Sequence, residues 1–155
     1  MRHQCMSLLL KNIAPIAKVS ATSSEEESKP EAVIDGIIDI ENKDKTKEWI
    51  SNEGKGAMIK LEWDEEKTID RIRVYDSPAG DRWTKEGYFV FSDGSMEWMY
   101  AAPSNSAKTP TEIKFPSKKV KWVKFTITDG NAEMSAGWLP GLRLGVSEIQ
   151  VFEAN

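Results

Sequence analysis

The chain has almost no cysteine and no histidine: one of each in 155 residues, Cys5 and His3. One cysteine excludes an internal disulfide and leaves the redox compartment open. With its single histidine at position 3, the body of the chain has no imidazole to serve as a general base. No glycine-rich phosphate loop and no nucleophile elbow occur. The carboxylate pairs Glu65-Glu66 and Asp39-Glu41 stand among polar neighbours, where burial would not raise a pKa for general-acid work. No catalytic function is expected. Apolar runs long enough to span a bilayer are missing too. The formal net charge of −4 argues against general affinity for nucleic acid or anionic membrane. The basic run Lys118 to Lys124 is expected to be a solvated strand face, because its lysines alternate with Val120, Trp122 and Val123.

What is present suits one soluble domain. The composition is 39% hydrophobic and 30% charged, and a chain of this size folds without staples. Residues 1–11 carry a short apolar patch and no small-residue cleavage site, so they are not expected to be a signal peptide. They are expected to be a junction with a preceding domain or an introduced start, with the domain itself spanning 12–155.

Period-two alternation recurs along the chain and helical periodicity does not. Strands are expected over 57–63 (Ile59, Leu61 and Trp63 inward), 69–75 (Ile72 and Val74 inward) and 88–91. Further strands are expected over 96–100, 111–115, 120–128 (Val123, Phe125 and Ile127 inward) and 147–152 (Ile149 and Val151 inward), with an early strand over 17–22. Asp93-Gly94 between two such runs marks a hairpin, since glycine accepts the positive φ of the turn. Short strands separated by turn signals imply a two-layer, all-β sandwich. The long connections cover 23–30, 42–47, 78–85, 102–109 and 129–143, and loops of that length are usual places for function.

The ordered set Asn12-Ile13-Ala14-Pro15, Ala32-Val33-Ile34-Asp35-Gly36, Glu48-Trp49-Ile50-Ser51, Ile69 to Asp76 and Gly145 to Phe152 resembles the discoidin, or coagulation factor 5/8 type C, domain. It is similar also to the bacterial carbohydrate-binding modules of galactose-binding-domain-like fold. The resemblance implies a jelly roll of about eight main strands with ligand loops at one end. It implies a non-catalytic accessory domain of a secreted or cell-surface glycan-active protein, with a catalytic domain as a possible neighbour in the parent chain.

It also implies a structural Ca²⁺ site, in which an aspartate of an Asp-Gly loop and a glutamate of the last strand share the ion with a Ser/Thr oxygen and backbone carbonyls. Asp35 and Glu148 match the carboxylates, with Glu48 as a competitor for the second place. Thr46, or a carbonyl from 38–47, would fill the middle positions. Here the loop between Asp35 and Trp49 is longer than the family pattern and holds Asp39, Glu41 and Asp44. Without a metal, Asp35-Gly36 is a turn and Glu148 a solvated strand end.

A sugar site needs a flat ring for the apolar face of a pyranose and planar polar groups for its hydroxyls. Trp83 and Trp138 are the candidate platforms, with Asp76, Arg82, Asn131 and Arg143 as hydrogen-bonding partners; Asp81 lies in the same stretch as Arg82. The alternative for Trp83 is to cap the end of the sandwich, and for Asp76 to cap a turn. Relatives often place a histidine in the pocket, and its lack here weakens a galactose-type site. Trp49, Trp63, Trp98 and Trp122 read as core. The rival reading is a protein-binding, adhesion or architectural module without sugar binding. Phospholipid binding through 138–140 and 142–144 ranks below both, because basic residues are sparse there.

Overall fold

A computed structural model describes residues 9–38, 44–79, 82–101, 108–131 and 143–155. Seven strands carry the fold among these residues: β1 (Lys18–Ala21), β2 (Trp49–Ile50), β3 (Met58–Asp76), β4 (Trp83–Phe91), β5 (Met96–Tyr100), β6 (Thr111–Asn131) and β7 (Gly145–Glu153). Helix is limited to 3₁₀ turns at Ala14–Ile16, Pro30–Ile34 and Lys45–Lys47. None of these is long and apolar enough to cross a membrane.

β3 and β6 are long antiparallel partners that pass from one layer of the sandwich to the other. Their first stretch pairs Met58–Glu62 with Thr126–Trp122, and their second pairs Lys67–Val74 with Val120–Thr111. The register shifts between Glu62 and Lys67, where Asp64, Glu65 and Glu66 are exposed. A bulge of this kind bends and twists a strand. One layer therefore runs β1, first half of β3, second half of β6, β4, β5. The other runs first half of β6, second half of β3, β7, β2. The segments 57–63 and 69–75, expected as separate strands, are thus joined in β3, and 111–115 and 120–128 in β6. Pro116 falls between the pairs Arg71–Lys114 and Ile69–Lys118, inside a register shift, where the ladder asks no amide of it.

The alternation seen in the sequence gives the core. Ile59, Leu61, Trp63, Ile72, Val74, Val123, Phe125, Ile127, Ile149 and Val151 are all buried, as their spacing predicts. Phe89 stacks on Phe125 with ring centroids 4.7 Å apart, and Phe91 meets Phe115 of the opposite layer at 5.2 Å. The Trp63 indole donates to the Ile13 carbonyl at 2.8 Å, and that of Trp49 to Ser23 at 2.9 Å, so each buried ring keeps its polar atom satisfied. The β4–β5 turn is the expected hairpin: Gly94 has φ 90° and its amide donates to Phe91 at 2.9 Å. Trp98 and Trp122 depart from expectation. Trp98 is 44% exposed and Trp122 half-buried, because both alternate outward from strands whose inner positions are filled by Met99 and Val123.

Candidate functional site

Five strand ends meet at one pole: the end of β2, the end of β3, the start of β4, the end of β6 and the start of β7. Trp83 is opposite Asn131 in the β4–β6 ladder and beside Gly145 in a parallel bridge to β7. The segments bearing Trp83, Asn131 and Arg143 therefore converge, although 48 positions separate Trp83 from Asn131 in the numbering.

Beneath this rim lies a buried polar cluster. Arg82 and Glu48 form a two-pronged ion pair, with Nε to Oε1 at 3.0 Å and Nη2 to Oε2 at 3.3 Å. Both residues are buried. The Arg82 carbonyl accepts the Gly145 amide at 2.7 Å, and the Thr84 hydroxyl donates to the Gly145 carbonyl at 3.1 Å. Ser28 ties the other side: its hydroxyl donates to the Glu48 carbonyl and accepts the Ile50 amide, each at 2.6 Å. Asp76 Oδ1 accepts the amides of Ser77 at 2.9 Å and Thr84 at 2.7 Å. Burial pushes the Asp76 acid well above its usual range, more than those two amides pull it down, and the Glu48 charge adds to the rise.

These positions bear on the expected sugar contacts. Asp76 is 1% exposed and Arg82 5%, and the protein engages both from within. Trp83 is a strand residue rather than a loop residue and keeps only 8% of its surface open, with the Lys85 ammonium 5.8 Å from its ring centroid. Arg143 is half-exposed and pairs with Glu25, which also meets Lys45 at 3.5 Å. Asp81, Trp138 and the Asn131 side chain lie outside the described residues. Sequence reasoning did not find the Arg82–Glu48 pair: the partners are 34 residues apart and nothing local marks them as mates.

The two carboxyls expected to share a cation are brought together. Asp35 ends the 3₁₀ turn Pro30–Ile34, and its Oδ1 accepts the Ile37 amide at 2.8 Å. Glu148 is buried in β7, its Oε2 accepts the Gly36 amide at 3.0 Å, and its Oε1 is buried without a hydrogen-bond partner. Burial first, then the Asp35 charge, push the Glu148 acid up to about 9. Burial also raises Asp35, against the pull of the Ile37 amide, Glu148 and Lys47. Glu148 is therefore not a solvated strand end. A buried acceptor without a donor, beside a second carboxyl, is a donor set that fits a hard cation or a shared proton. Thr46 has its hydroxyl turned to Asp44 Oδ1, 2.7 Å away. Glu48 is committed to Arg82, which leaves Glu148 as the glutamate of the pair. Among the described residues no three acidic, histidine or cysteine side chains cluster.

A family model described as "Domain of unknown function (DUF7402)" matches residues 12–152. A search of the curated proteins gives no match. Several solved structures share the fold. The lectin domain of lectinolysin complexed with Lewis B antigen is 16% identical, with a TM-score of 0.73 over 94% of this chain and 98% of that one. A fucose-binding module of Streptococcus pneumoniae is 11% identical, with a TM-score of 0.73 over 94% and 96%. The family 32 carbohydrate-binding module of C. perfringens NanJ, in complex with galactose, is 16% identical, with a TM-score of 0.68 over 94% and 100%. The fold is thus the galactose-binding-domain-like, discoidin-like β-sandwich that the sequence resemblance implied.

Proposed function

We propose that this chain, which belongs to the family described as Domain of unknown function (DUF7402), is a non-catalytic carbohydrate-binding module that takes its ligand at the pole where β4, β6 and β7 meet. The observation that carries this reading is the bridging of Trp83 to both Asn131 and Gly145, which gathers the β3–β4 and β6–β7 connections around one rim. The likeness to sandwiches solved with galactose and Lewis B antigen supports it.

In this reading Trp138, Asn131, Arg143 and the open edge of Trp83 touch the sugar. Arg82 and Asp76 hold the rim in shape from below, because their polar groups are already engaged. A Ca²⁺ ion held by Asp35 and Glu148, with Thr46 or nearby carbonyls, pins the first acidic turn to the last strand. When bound, the ion would replace the proton that otherwise keeps the two carboxyls compatible, and its role is bracing. A single shallow site gives modest affinity, and attachment to a glycan-active parent protein at a cell surface or outside the cell would multiply it through effective concentration.

A glycan array with the intact chain and with Trp138→Ala, run beside size-exclusion chromatography, tests the proposal. Array signals lost in the variant support it. A blank array with a stable oligomer replaces it with a protein-binding module.

A further inference from the structure

The outer face of the β4–β5 hairpin carries aromatic rings that the core does not use. Trp98 is 44% exposed and Tyr100 65%. They occupy alternate positions of one strand, with ring planes 15° apart and centroids 6.1 Å apart. Tyr88 is paired with Trp98 across the ladder, and its ring centroid lies 5.1 Å from that of Trp98. Neither the Trp98 indole N–H nor the Tyr100 hydroxyl has a hydrogen-bond partner among the described residues. The patch continues inward along the sheet. Val90 is opposite Lys124, and Lys124 opposite Lys60. Both ammonium groups lie over Trp122, at 5.5 and 5.1 Å from its ring centroid.

The charges decide what suits this face. A protein interface of lasting stability excludes charge from its centre. Here Glu86 is opposite Tyr100, and lysines flank the far side, so a dry protein contact would strip water from charges of both signs. A polyanion would meet Glu86 at the aromatic end, on a chain of net charge −4. An uncharged polyol has the opposite preference. Its C–H face covers a flat ring, and its hydroxyls both donate to carboxylates and accept from ammonium groups. Strands braced by Phe89 and Met99 on the inner face hold the rings in place, which lowers the ordering cost of binding.

We infer that the Tyr88–Trp98–Tyr100 face is a second carbohydrate platform, separate from the strand-end pole, that takes a chain of uncharged pyranose units laid flat across the sheet. It does not depend on the pole holding sugar.

The test uses the full chain, a glycan array and calorimetry against cellohexaose, chitohexaose, mannohexaose and a galactan hexasaccharide. At least one of these ligands binds, and Trp98→Ala weakens it by about tenfold or more, as loss of an aromatic anchor does. Tyr100→Ala weakens the same ligand, Trp98→Phe restores part of it, and Trp138→Ala leaves it unchanged. The melting temperature of the Trp98 variants stays at that of the wild type, because the side chain is outside the core. The inference fails if no ligand depends on Trp98. It fails also if Trp98→Ala instead converts a dimer to a monomer, which would make the edge strand β5 a contact between copies. Ligands that respond to Trp138→Ala alone would leave the proposed pole standing and remove this platform.

Discussion

Glu148 of the last strand accepts the amide of Gly36 at 3.0 Å, closing a contact between residues 112 positions apart in the chain. Its other oxygen is buried without a donor, and Asp35 stands beside it. Such a pair is uncomfortable empty, and a divalent cation would relieve it. Calorimetry of chelator-stripped protein should therefore show one Ca²⁺ site. At a hundredfold excess over the dissociation constant, binding should add roughly 2.7 kcal/mol of stability. Asp35→Asn and Glu148→Gln should each weaken the site by about tenfold or more, since each removes a charged oxygen ligand. No heat and an unchanged melting temperature in the wild type would remove the cation from the proposal.

The same pair predicts a pH dependence without metal. The Glu148 acid is raised from the usual 4.5 to about 9 in the folded chain, so the unfolded state releases its proton first. Below 4.5 both states hold the proton and nothing is lost. Between 4.5 and about 9 the unfolded chain gains by ionising while the folded chain does not, so stability falls as pH rises. Asp76 is raised as well and acts in the same direction. Thermal melts in chelator should show a declining midpoint across this window, with a shallower decline in Glu148→Gln. A midpoint that climbs with pH, or a variant with the full wild-type slope, contradicts the assignment.

The buried Arg82–Glu48 pair makes a different prediction. Removing one partner strands a charge in the interior and costs about 3–5 kcal/mol. Arg82→Met should show that loss in urea unfolding, and adding Glu48→Gln should recover much of it. If Arg82 only positions the rim, Arg82→Lys lowers stability and sugar affinity together. If it touches sugar directly, affinity drops in Arg82→Lys while the unfolding midpoint holds.

The parts of this fold legible in the sequence were those with a local cause. Alternation placed Ile59, Leu61, Trp63, Phe125 and Val151 inside, and Asp93-Gly94 marked the hairpin. The alignment of Asp35 with Glu148 came from resemblance, because a contact across 112 residues leaves no local trace. The same distance problem hid Arg82 from Glu48. The outward turn of Trp98 was missed for another reason. Alternation gives two faces without saying which one is inner, and a large ring was assigned to the core although Met99 fills that place. Position just after a strand makes Asp76 and Arg82 candidates for sugar contact, with a turn cap as the alternative for Asp76, whereas the fold gives each of them partners within it.

Gly145 offers the sharpest link between packing and the proposed site. A β-carbon built there would lie 2.7 Å from the Trp49 carbonyl oxygen and 3.0 Å from Glu48 Oε1. The nearer atom is backbone, and the β2–β7 ladder holds Trp49 opposite Val146 and Ile50 opposite Gly145, so it cannot swing aside. Gly145→Ala should push β7 away from β2 and displace the carboxylate that Arg82 grips. Overpacking of this sort costs about 1–3 kcal/mol. The same shift would move the Gly145 amide and carbonyl that hold Arg82 and Thr84, and so disturb the setting of Trp83. Gly145→Ala is thus expected to lower the unfolding midpoint and to weaken glycan binding at the pole, while leaving Ca²⁺ affinity at Asp35 and Glu148 within a few fold of wild type. Full glycan affinity in a variant with a lowered midpoint would separate the rim from the ligand, and would move the search for the sugar contacts to the connections beyond it.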